Sequence, residues 1–231
     1  MRSGDPYANA KYEIILEWLK NKRVKSVLNA GCGSGELSFI LAQNGYEVTG
    51  FDLDRDYIDL ANKNVKKMKV KNCKFIVSGI ENYKNEKKYD VVVSTDVLEH
   101  ILNDRYAFRK LSSFAKKDGL VVISVPAGQY LFGFHDEQLG HFRRYSISSF
   151  KKIIPENLKI IKVKYFGLFL IPIAFFVSRL LKIGYPVEQS GDTDKYLIIN
   201  KILKSILKIE KQLWFPAGTS LLFIGKHTRC T

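Results

Sequence analysis

Three closely spaced glycines and the carboxylate that follows them form the pattern with the clearest chemistry in this chain. Residues 27–35 read as an apolar strand leading into the turn Gly31-Cys-Gly-Ser-Gly35, and Asp52 ends the next apolar segment. Because glycine has no Cβ, such a turn can bend sharply and present backbone N–H groups to a ligand. A carboxylate at the end of the second strand can accept hydrogen bonds from both hydroxyls of a ribose. The pattern predicts a site for an adenosine-bearing cofactor in an α/β sheet.

The spacing of the glycines narrows the class of cofactor. The turn reads G-x-G-x-G, unlike the G-x-G-x-x-G of nicotinamide and flavin enzymes, and the chain contains no G-x-x-x-x-G-K-[ST] phosphate loop. Residues 27–35 resemble motif I of the class I S-adenosylmethionine-dependent methyltransferases. Further stretches match that family in order: Asp52, Tyr89-Asp-Val-Val-Val, Asp96-Val-Leu-Glu-His100, and Lys117-Asp-Gly-Leu-Val-Val-Ile before Pro126. The resemblance covers residues 12–165, with 219–226 as the last strand, and it implies S-adenosylmethionine as the methyl donor.

The same resemblance implies which residues hold the cofactor, and two positions depart from the family pattern. The family usually has Asp where this chain has Asn29, which keeps a carbonyl acceptor but carries no charge. It often has Asp where this chain has Gly79, so the backbone of Ile80 or the side chain of Glu81 is expected to meet the adenine. The expected cofactor-binding residues are Asn29, Gly31, Gly33, Gly35, Asp52, Leu53, Gly79, Ile80 and Thr95.

A group of titratable residues lies in the segment Asp96-Val-Leu-Glu99-His100. If the segment is helical, the three titratable residues share one face beside the transferred methyl group. His100 could then act as a general base toward an acceptor hydroxyl. Alternatively, Asp96, Glu99 and His100 could ligate a divalent metal ion that acidifies this hydroxyl. The segment resembles the E-x-x-E-H stretch with which ubiquinone-pathway O-methyltransferases and small-RNA 3′-end 2′-O-methyltransferases bind Mg²⁺ or Mn²⁺. In other family members it only orders the site; all three roles stay open, with the metal least favoured.

Residues 135–145 carry the second strong signal, His-Asp-Glu-Gln-Leu-Gly-His-Phe-Arg-Arg-Tyr. Burying so many charges without partners would be prohibitive, so core packing does not explain them. The G-H-x-R-R-Y part looks like a subgroup of bacterial and archaeal methyltransferases similar to those of cell-envelope lipid and glycan biosynthesis. We predict that one of Arg143 and Arg144 binds an anionic substrate group, and that the other pairs with Asp136 or Glu137.

The histidines of this loop are the expected partners of the methyl donor. His141, and less so His135, is expected to act as a base or as a metal ligand together with Glu99 and His100. The predicted catalytic residues are thus His100, Asp136 and His141, and the predicted substrate-binding residues are His135, Arg143, Arg144 and Tyr145. The alternative is a loop that is ion-paired with itself and only closes over the cofactor.

Alternating strand and helix patterns supply the elements that position these residues. Strands are predicted near 25–30, 47–52, 73–77, 89–94, 119–125, 158–164 and 219–226, and helices near 12–20, 35–44, 55–68, 103–116 and 146–153. We expect one domain over residues 1–231, of the α/β class, with a Rossmann-like, doubly wound, mostly parallel seven-stranded sheet. The resemblance implies an antiparallel last strand, and a helical insertion is expected before it.

Two segments exceed what this sheet requires, and both are expected on the substrate side. Residues 126–145 are predicted to form an active-site loop. In the second segment, 165–218, residues 165–178 are almost all apolar and include Pro172, which is expected to kink a helix. Residues 196–213 then place lysines at helical spacing, with Ile199, Ile202, Ile206, Ile209 and Leu213 on the opposite side. Such a pair is typical of interfacial membrane binding, or of a lid over the active site.

Composition limits the compartment and the partners. The formal charge is +14, which favours anionic partners such as nucleic acid, anionic lipid or phosphorylated substrates, although a lysine-rich composition alone also produces it. Three scattered cysteines without C-x-x-C argue against a disulfide scaffold or a zinc knuckle. The start of the chain lacks a signal pattern, and no apolar run reaches the ~20 residues that a membrane span needs. We expect a cytoplasmic protein, with peripheral membrane attachment as an alternative.

These patterns together predict a methyltransferase that uses S-adenosylmethionine. The expected reaction is in-line O-methylation of a small, anionic or lipid- or glycan-linked acceptor. The charge and the metal-like segment leave an RNA methyltransferase as the alternative. A non-catalytic cofactor-binding subunit is a second alternative, suggested by Asn29 and Gly79. The sequence predicts no oligomeric state.

Overall fold

Seven strands form one sheet in a computed structural model that describes residues 5–20, 22–181 and 193–228. Their order across the sheet is β3-β2-β1-β4-β5-β7-β6, and β7 runs antiparallel to β5 and β6 while the other pairs are parallel. The predicted doubly wound sheet with an antiparallel last strand is confirmed. The strands are β1 (Ser26–Ala30), β2 (Glu47–Asp52), β3 (Cys73–Val77), β4 (Tyr89–Thr95), β5 (Ala115–Pro126), β6 (Leu158–Phe166) and β7 (Ser220–His227).

Helices cover both faces of the sheet. Buried side chains of α1, α2 and α3 pack on one face, and those of α4 and α6 pack on the other. The five predicted core helices are present, α1 starting earlier than expected. The helices are α1 (Pro6–Leu19), α2 (Glu36–Gln43), α3 (Arg55–Met68), α4 (Asp104–Ser113), α5 (Phe134–Leu139), α6 (Ile147–Lys151), α7 (Ile171–Phe175, extended by a π turn at Phe176–Leu180) and α8 (Thr193–Gln212).

The boundary between α4 and β5 differs from the prediction. The helix was expected to reach residue 116 and the strand to begin at residue 119, whereas α4 ends at Ser113 and β5 begins at Ala115. Ala115 already pairs with Tyr89 of β4, and the register shifts between Tyr89 and Val91. This bulge lets the strand begin before Gly119, a feature that residue propensity alone does not indicate.

The carboxyl ends of the parallel strands meet at one edge of the sheet, which positions the candidate site. The glycine turn follows β1, Asp52 ends β2, and the loop 126–145 follows β5. Aromatic packing holds two helices on the sheet: the ring of Phe223 in β7 lies 5.7 Å from that of Phe108 in α4 and 5.5 Å from that of Phe150 in α6. This fully buried cluster fixes α4 and α6 against β7.

The insertion after β6 is helical where the structure describes it. A 3₁₀ turn at Leu168–Leu170 leads into α7, and α8 packs on α1 through a cluster that includes Leu207 and Ile14. The expected kink at Pro172 does not form, because this proline lies in the first turn of α7, where its missing N–H is tolerated. Residues 182–192 of the predicted insertion lie outside the described residues. Within the described part of the chain, every helix is too short or too polar to cross a bilayer.

Candidate functional site

The glycine turn between β1 and α2 has a backbone that favours glycine. Gly31, Gly33 and Gly35 have φ angles of +68°, +51° and +90°. A Cβ on Gly31 would lie 2.3 Å from Cγ2 of Val97, so packing also excludes a larger residue there. A Cβ on Gly33 would meet no described atom within 4 Å. The turn is therefore closed on its inner side and open over Gly33, where a ligand can approach the backbone.

Asp52 holds this turn and lies at its open side. One carboxylate oxygen accepts from the N–H of Gly33 at 2.7 Å, and the other accepts from the N–H of Asp54 at 3.0 Å. Next to it, Leu53 is 75% exposed, and a Cβ on Gly79 would lie 3.5 Å from the Leu53 side chain. The residues expected to contact ribose and adenine thus lie side by side at the carboxyl ends of β2 and β3.

Asn29 is buried at the floor of the site, and one of its two polar side-chain atoms lacks a hydrogen-bond partner among the described residues. Its Nδ2 donates to Oγ of Ser38 at 2.9 Å, whereas its Oδ1 has no hydrogen-bond partner among the described residues. A buried acceptor without a donor costs free energy, which a donor on a bound ligand would recover. The unsatisfied amide and the open space over Gly33 fit the ammonium and backbone contacts of S-adenosylmethionine.

Asp96 does not occupy the place that the helical spacing predicts. Its φ is +55°, and it precedes a short 3₁₀ turn, Leu98–His100, so the predicted α-helical face over residues 96–100 is wrong. Its carboxylate forms an ion pair with Lys11 of α1 and accepts from Oγ of Ser124 at 3.1 Å. Because the backbone is not helical here, Asp96 pairs with α1 and its carboxylate does not join the group formed by Glu99 and His100.

Glu99, His100 and His141 converge instead. One potential ligand atom from each lies within 4.8 Å of the others, and this group does not include Asp96. The two imidazole rings are 4.6 Å apart between centroids, and the N–H of Phe142 donates to the carbonyl of Glu99 at 2.8 Å. The loop 126–145 is thereby joined to the turn after β4. Such a group can transfer protons, or hold a divalent cation.

Burial disfavours charge on Glu99 and His100. The Glu99 side chain is fully buried, and its two carboxyl oxygens have no hydrogen-bond partner in the described part of the chain. Desolvation, assisted by the charge of Asp96, raises the pKa of Glu99 well above its ordinary value. Partial desolvation and the neighbouring His141 lower the pKa of His100. Neutral imidazole is the form that accepts a proton, so the environment suits general base chemistry.

Asp136 fixes the orientation of His141. Its fully buried carboxylate accepts from Nδ1 of His141 at 2.8 Å, from Nε of Arg144 at 2.8 Å and from the N–H of Gly133 at 3.1 Å. Burial alone would raise the pKa of Asp136, but the bonds from His141 and Arg144 outweigh this and hold it below its ordinary value. A carboxylate only accepts hydrogen bonds, so the proton of neutral His141 lies on Nδ1, and Nε2 keeps the lone pair. Asp136 therefore positions His141 and does not itself face open space.

The remaining loop residues attach this loop to its surroundings. Arg143 pairs with Asp104 at 2.7 Å and donates to the carbonyl of Leu102 at 3.0 Å. The hydroxyl of buried Tyr145 also donates to Asp104, at 2.8 Å. The N–H of His135 donates to Oγ of Ser178 at 3.2 Å, beyond α7. Arg144 is thus the arginine that pairs with Asp136, Arg143 docks on α4, and Tyr145 lies in the core rather than at an open surface.

Several residues of the site were not identified from the sequence. Lys11, Asp104 and Ser178 contact the predicted residues from α1, α4 and the insertion. Their partners are far away in the chain, so no local spacing connects them. The sequence of the charged loop argued against core packing, whereas Asp136 and Arg144 are buried in it as a pair.

Comparison with known proteins identifies the family. A family model described as a methyltransferase domain matches residues 21–158, more than half of the chain. The chain belongs to this family. Together with the sheet order, this match confirms the resemblance to the class I S-adenosylmethionine-dependent methyltransferases.

The similar proteins methylate different kinds of atom. The ubiquinone biosynthesis O-methyltransferase of Rickettsia typhi is 33% identical over 110 residues, covering 46% of this chain and 44% of that protein. A probable (S)-tetrahydroprotoberberine N-methyltransferase of Papaver bracteatum is 28% identical over 121 residues, covering 52% of this chain and 34% of that protein. The matched part therefore spans less than half the length of these curated relatives.

A solved structure shares the fold. The N-methyltransferase NodS of Bradyrhizobium japonicum, in complex with S-adenosyl-L-homocysteine, superposes with a TM-score of 0.63 at 14% identity. The superposition covers 98% of this chain and 90% of NodS. At this level of identity the likeness establishes the architecture and leaves the acceptor open.

Replacing Asp52 by Ala is expected to weaken cofactor binding by about 10- to 100-fold, because hydrogen bonds to a charged group contribute ~1.5–3 kcal/mol each. Calorimetric titration with S-adenosylhomocysteine measures this. Asp54→Ala is the matched control: Asp54 caps α3, accepting from the N–H of Asp56 at 2.8 Å, so its loss costs ~1 kcal/mol of stability and leaves the affinity intact. Equal losses of affinity in both variants would contradict the assignment of Asp52.

Replacing Glu99 by Gln is expected to stabilise the protein increasingly as the pH rises. Above the unfolded pKa of about 4.3, the unfolded chain releases the Glu99 proton while the folded chain keeps it. The contribution of Glu99 to wild-type stability therefore falls as the pH rises from there toward the raised folded pKa, and Glu99→Gln removes this loss. The midpoint of thermal unfolding, measured between pH 4 and 8 with EDTA to remove metal ions, tests this expectation. Each kcal/mol of stability shifts the midpoint by about 2–4 °C in a protein of this size. Exposed Glu86→Gln is the control, and parallel curves for Glu99→Gln and wild type would disprove the account.

Proposed function

We propose that this protein transfers a methyl group from S-adenosylmethionine to a hydroxyl oxygen of a small, anionic or lipid- or glycan-linked acceptor. The observation that carries the proposal is the hydrogen bond from Nδ1 of His141 to Asp136, at the sheet edge that also bears the glycine turn. It supplies an oriented base beside the region where Gly33 and Asp52 would hold the cofactor.

The residues of the chain have separable roles in this reaction. Asn29, Gly33 and Asp52 would hold the cofactor, which supplies an electrophilic methyl group when it is bound. Nε2 of His141 accepts the proton of the acceptor hydroxyl, and the buried carboxylate of Asp136 stabilises the resulting imidazolium. Arg144 keeps Asp136 ionised. Positioning of the acceptor and removal of its proton account for the contribution of the protein.

Oxygen is the proposed acceptor atom because the site provides a base. A hydroxyl is a poor nucleophile until its proton is removed, whereas a neutral amine already has a reactive lone pair. Neutral His100 and protonated Glu99 lie next to His141 and can pass the proton onward. The similar proteins include both O- and N-methyltransferases, so the choice of oxygen as the acceptor atom rests on the His141 base alone.

The charge of the loop and of the whole chain supports an anionic acceptor. Arg143 contacts Asp104 and Leu102 through its two terminal nitrogens, and a guanidinium has five N–H donors, so it can still meet a phosphate or carboxylate. The net charge of +14 favours the approach of such an acceptor. The hypothesis of a non-catalytic subunit is not retained, since the chain belongs to the methyltransferase family and Asn29 keeps a free acceptor.

Replacing His141 by Ala is expected to preserve cofactor binding and to lower kcat by about 10²- to 10⁴-fold, the usual contribution of a general base. Turnover is measured with labelled S-adenosylmethionine against separate lipid, glycan and RNA fractions. His227→Ala is the matched control, because His227 contacts Asn157 at the opposite edge of the sheet. Full activity of His141→Ala would disprove the assigned base, and label in RNA alone would disprove the acceptor class.

A further inference from the structure

The helical segment after β6 exposes large apolar side chains on its outer side. Ala174 and Ser178 face inward, and Ser178 accepts from the backbone of the active-site loop. Phe169, Ile173 and Phe176 follow at the spacing i, i+4, i+7 and are 53%, 57% and 52% exposed. Small and polar residues thus attach this segment to the loop, while its apolar side is turned outward.

The end of α8 extends this surface. Ile209, Leu213 and Trp214 are exposed, Trp214 by 66%. Glu210, which is buried, accepts a hydrogen bond from the backbone of Leu168, and the ring of Phe215 lies 6.0 Å from that of Phe169. The two segments are therefore held together as one surface. The apolar face consists of Phe169, Ile173, Phe176, Ile209, Leu213 and Trp214.

A row of lysines borders the apolar face. Lys201, Lys204 and Lys208 are exposed along α8, and Lys208 directly precedes Ile209. Leu203 and Leu207 form the side that packs against α1. The acidic residues of α8 are Asp194 and Glu210, of which Glu210 is buried. A shallow depression of about 400 Å³ on α8 is lined by Ser205, Lys208, Ile209, Gln212 and Leu213. Positive charge and apolar area thus lie side by side.

We infer that this surface docks on an anionic phospholipid bilayer. Soluble proteins rarely expose a contiguous apolar surface of this kind. Lysines that border it match the negative headgroups, and each contributes to attraction at an anionic surface. Trp214 is exposed within the apolar face, and tryptophan is enriched at membrane interfaces. The mixture of exposed aromatic, aliphatic and lysine side chains favours a bilayer over a protein partner.

Docking in this way would bring the active-site loop to the bilayer. The apolar face leaves the sheet from the carboxyl end of β6 and returns at the start of β7, the edge that also bears His141. Phe142 of the loop is 53% exposed on the same edge. The inference concerns attachment alone, so it does not depend on the proposed acceptor.

Co-sedimentation with vesicles tests the charge of the partner. The wild-type protein is expected to bind vesicles of phosphatidylcholine with phosphatidylglycerol, and to bind phosphatidylcholine alone far more weakly. Replacing Lys201, Lys204 and Lys208 by Gln should reduce anionic binding by about tenfold or more. The control replaces Lys63, Lys66 and Lys67 of α3 by Gln, which removes the same charge beside β2 and β3. It should change binding less than about twofold, because distant exposed charges are screened.

The emission of Trp214 and substitutions in the apolar face test whether the surface inserts into the bilayer. In a Trp18→Phe background Trp214 is the sole tryptophan, and its emission should shift to shorter wavelength with anionic vesicles. Ile173→Ser with Phe176→Ser should reduce binding about tenfold, whereas Ile161→Ser, at a similarly exposed site on β6, should not. No vesicle binding, equal binding to both vesicles, or a dimer that Ile173→Ser with Phe176→Ser dissociates would overturn the inference. Cofactor titration of each variant separates these outcomes from a failure of the proposed function.

Discussion

The buried carboxylate of Asp136 is the group on which the candidate site depends. It joins His141, Arg144 and the backbone of Gly133, which are otherwise unconnected parts of one loop. A buried charge is tolerated only when it is paired and hydrogen-bonded, and the loop conformation satisfies this demand. The same contacts that stabilise the charge set the direction of the imidazole. The contacts that stabilise the loop are therefore the same contacts that orient the His141 base.

Glu99, which lies beside His141, is a second buried carboxyl but lacks, in the described part of the chain, the hydrogen-bond partners that Asp136 has. Its carboxyl is buried without a partner among the described residues, which is unfavourable for folding. Proteins retain such groups where function requires them, since a neutral carboxyl beside two imidazoles can donate or accept a proton. The site thus combines one ionised and one protonated carboxyl, set apart by their partners rather than by their chemistry.

Local sequence patterns predicted the fold because each element carries its own periodicity and end signals. The glycine turn, Asp52 and the positions of the strands along the chain followed from residue types within short segments, whereas the antiparallel last strand was implied by the family resemblance. The prediction was wrong for Asp96, where a helical spacing was assumed although the backbone takes a left-handed conformation stabilised by Lys11, 85 positions away. Asp104 and Ser178 escaped prediction for the same reason. Contacts between distant segments have no local signature.

Local sequence also failed to predict which side of α8 is buried. Helical spacing correctly predicted α8, but Ile209 and Leu213, assigned to its apolar side, are exposed, and Leu207 and Glu210 are buried. Packing on α1 selected a different side of the helix, which sequence periodicity alone could not determine. The lysines and the apolar residues consequently share the outer surface, next to the site.

The role assigned to His141 requires that, in the neutral imidazole, Asp136 keeps the proton on Nδ1 and the lone pair on Nε2. The nitrogen chemical shifts of the His141 ring, measured by NMR on labelled protein at a pH where the ring is neutral, test this directly. We expect a protonated Nδ1 and an unprotonated Nε2 in the wild type, and loss of this preference in Asp136→Asn. A ring that carries its proton on Nε2 in the wild type would contradict it.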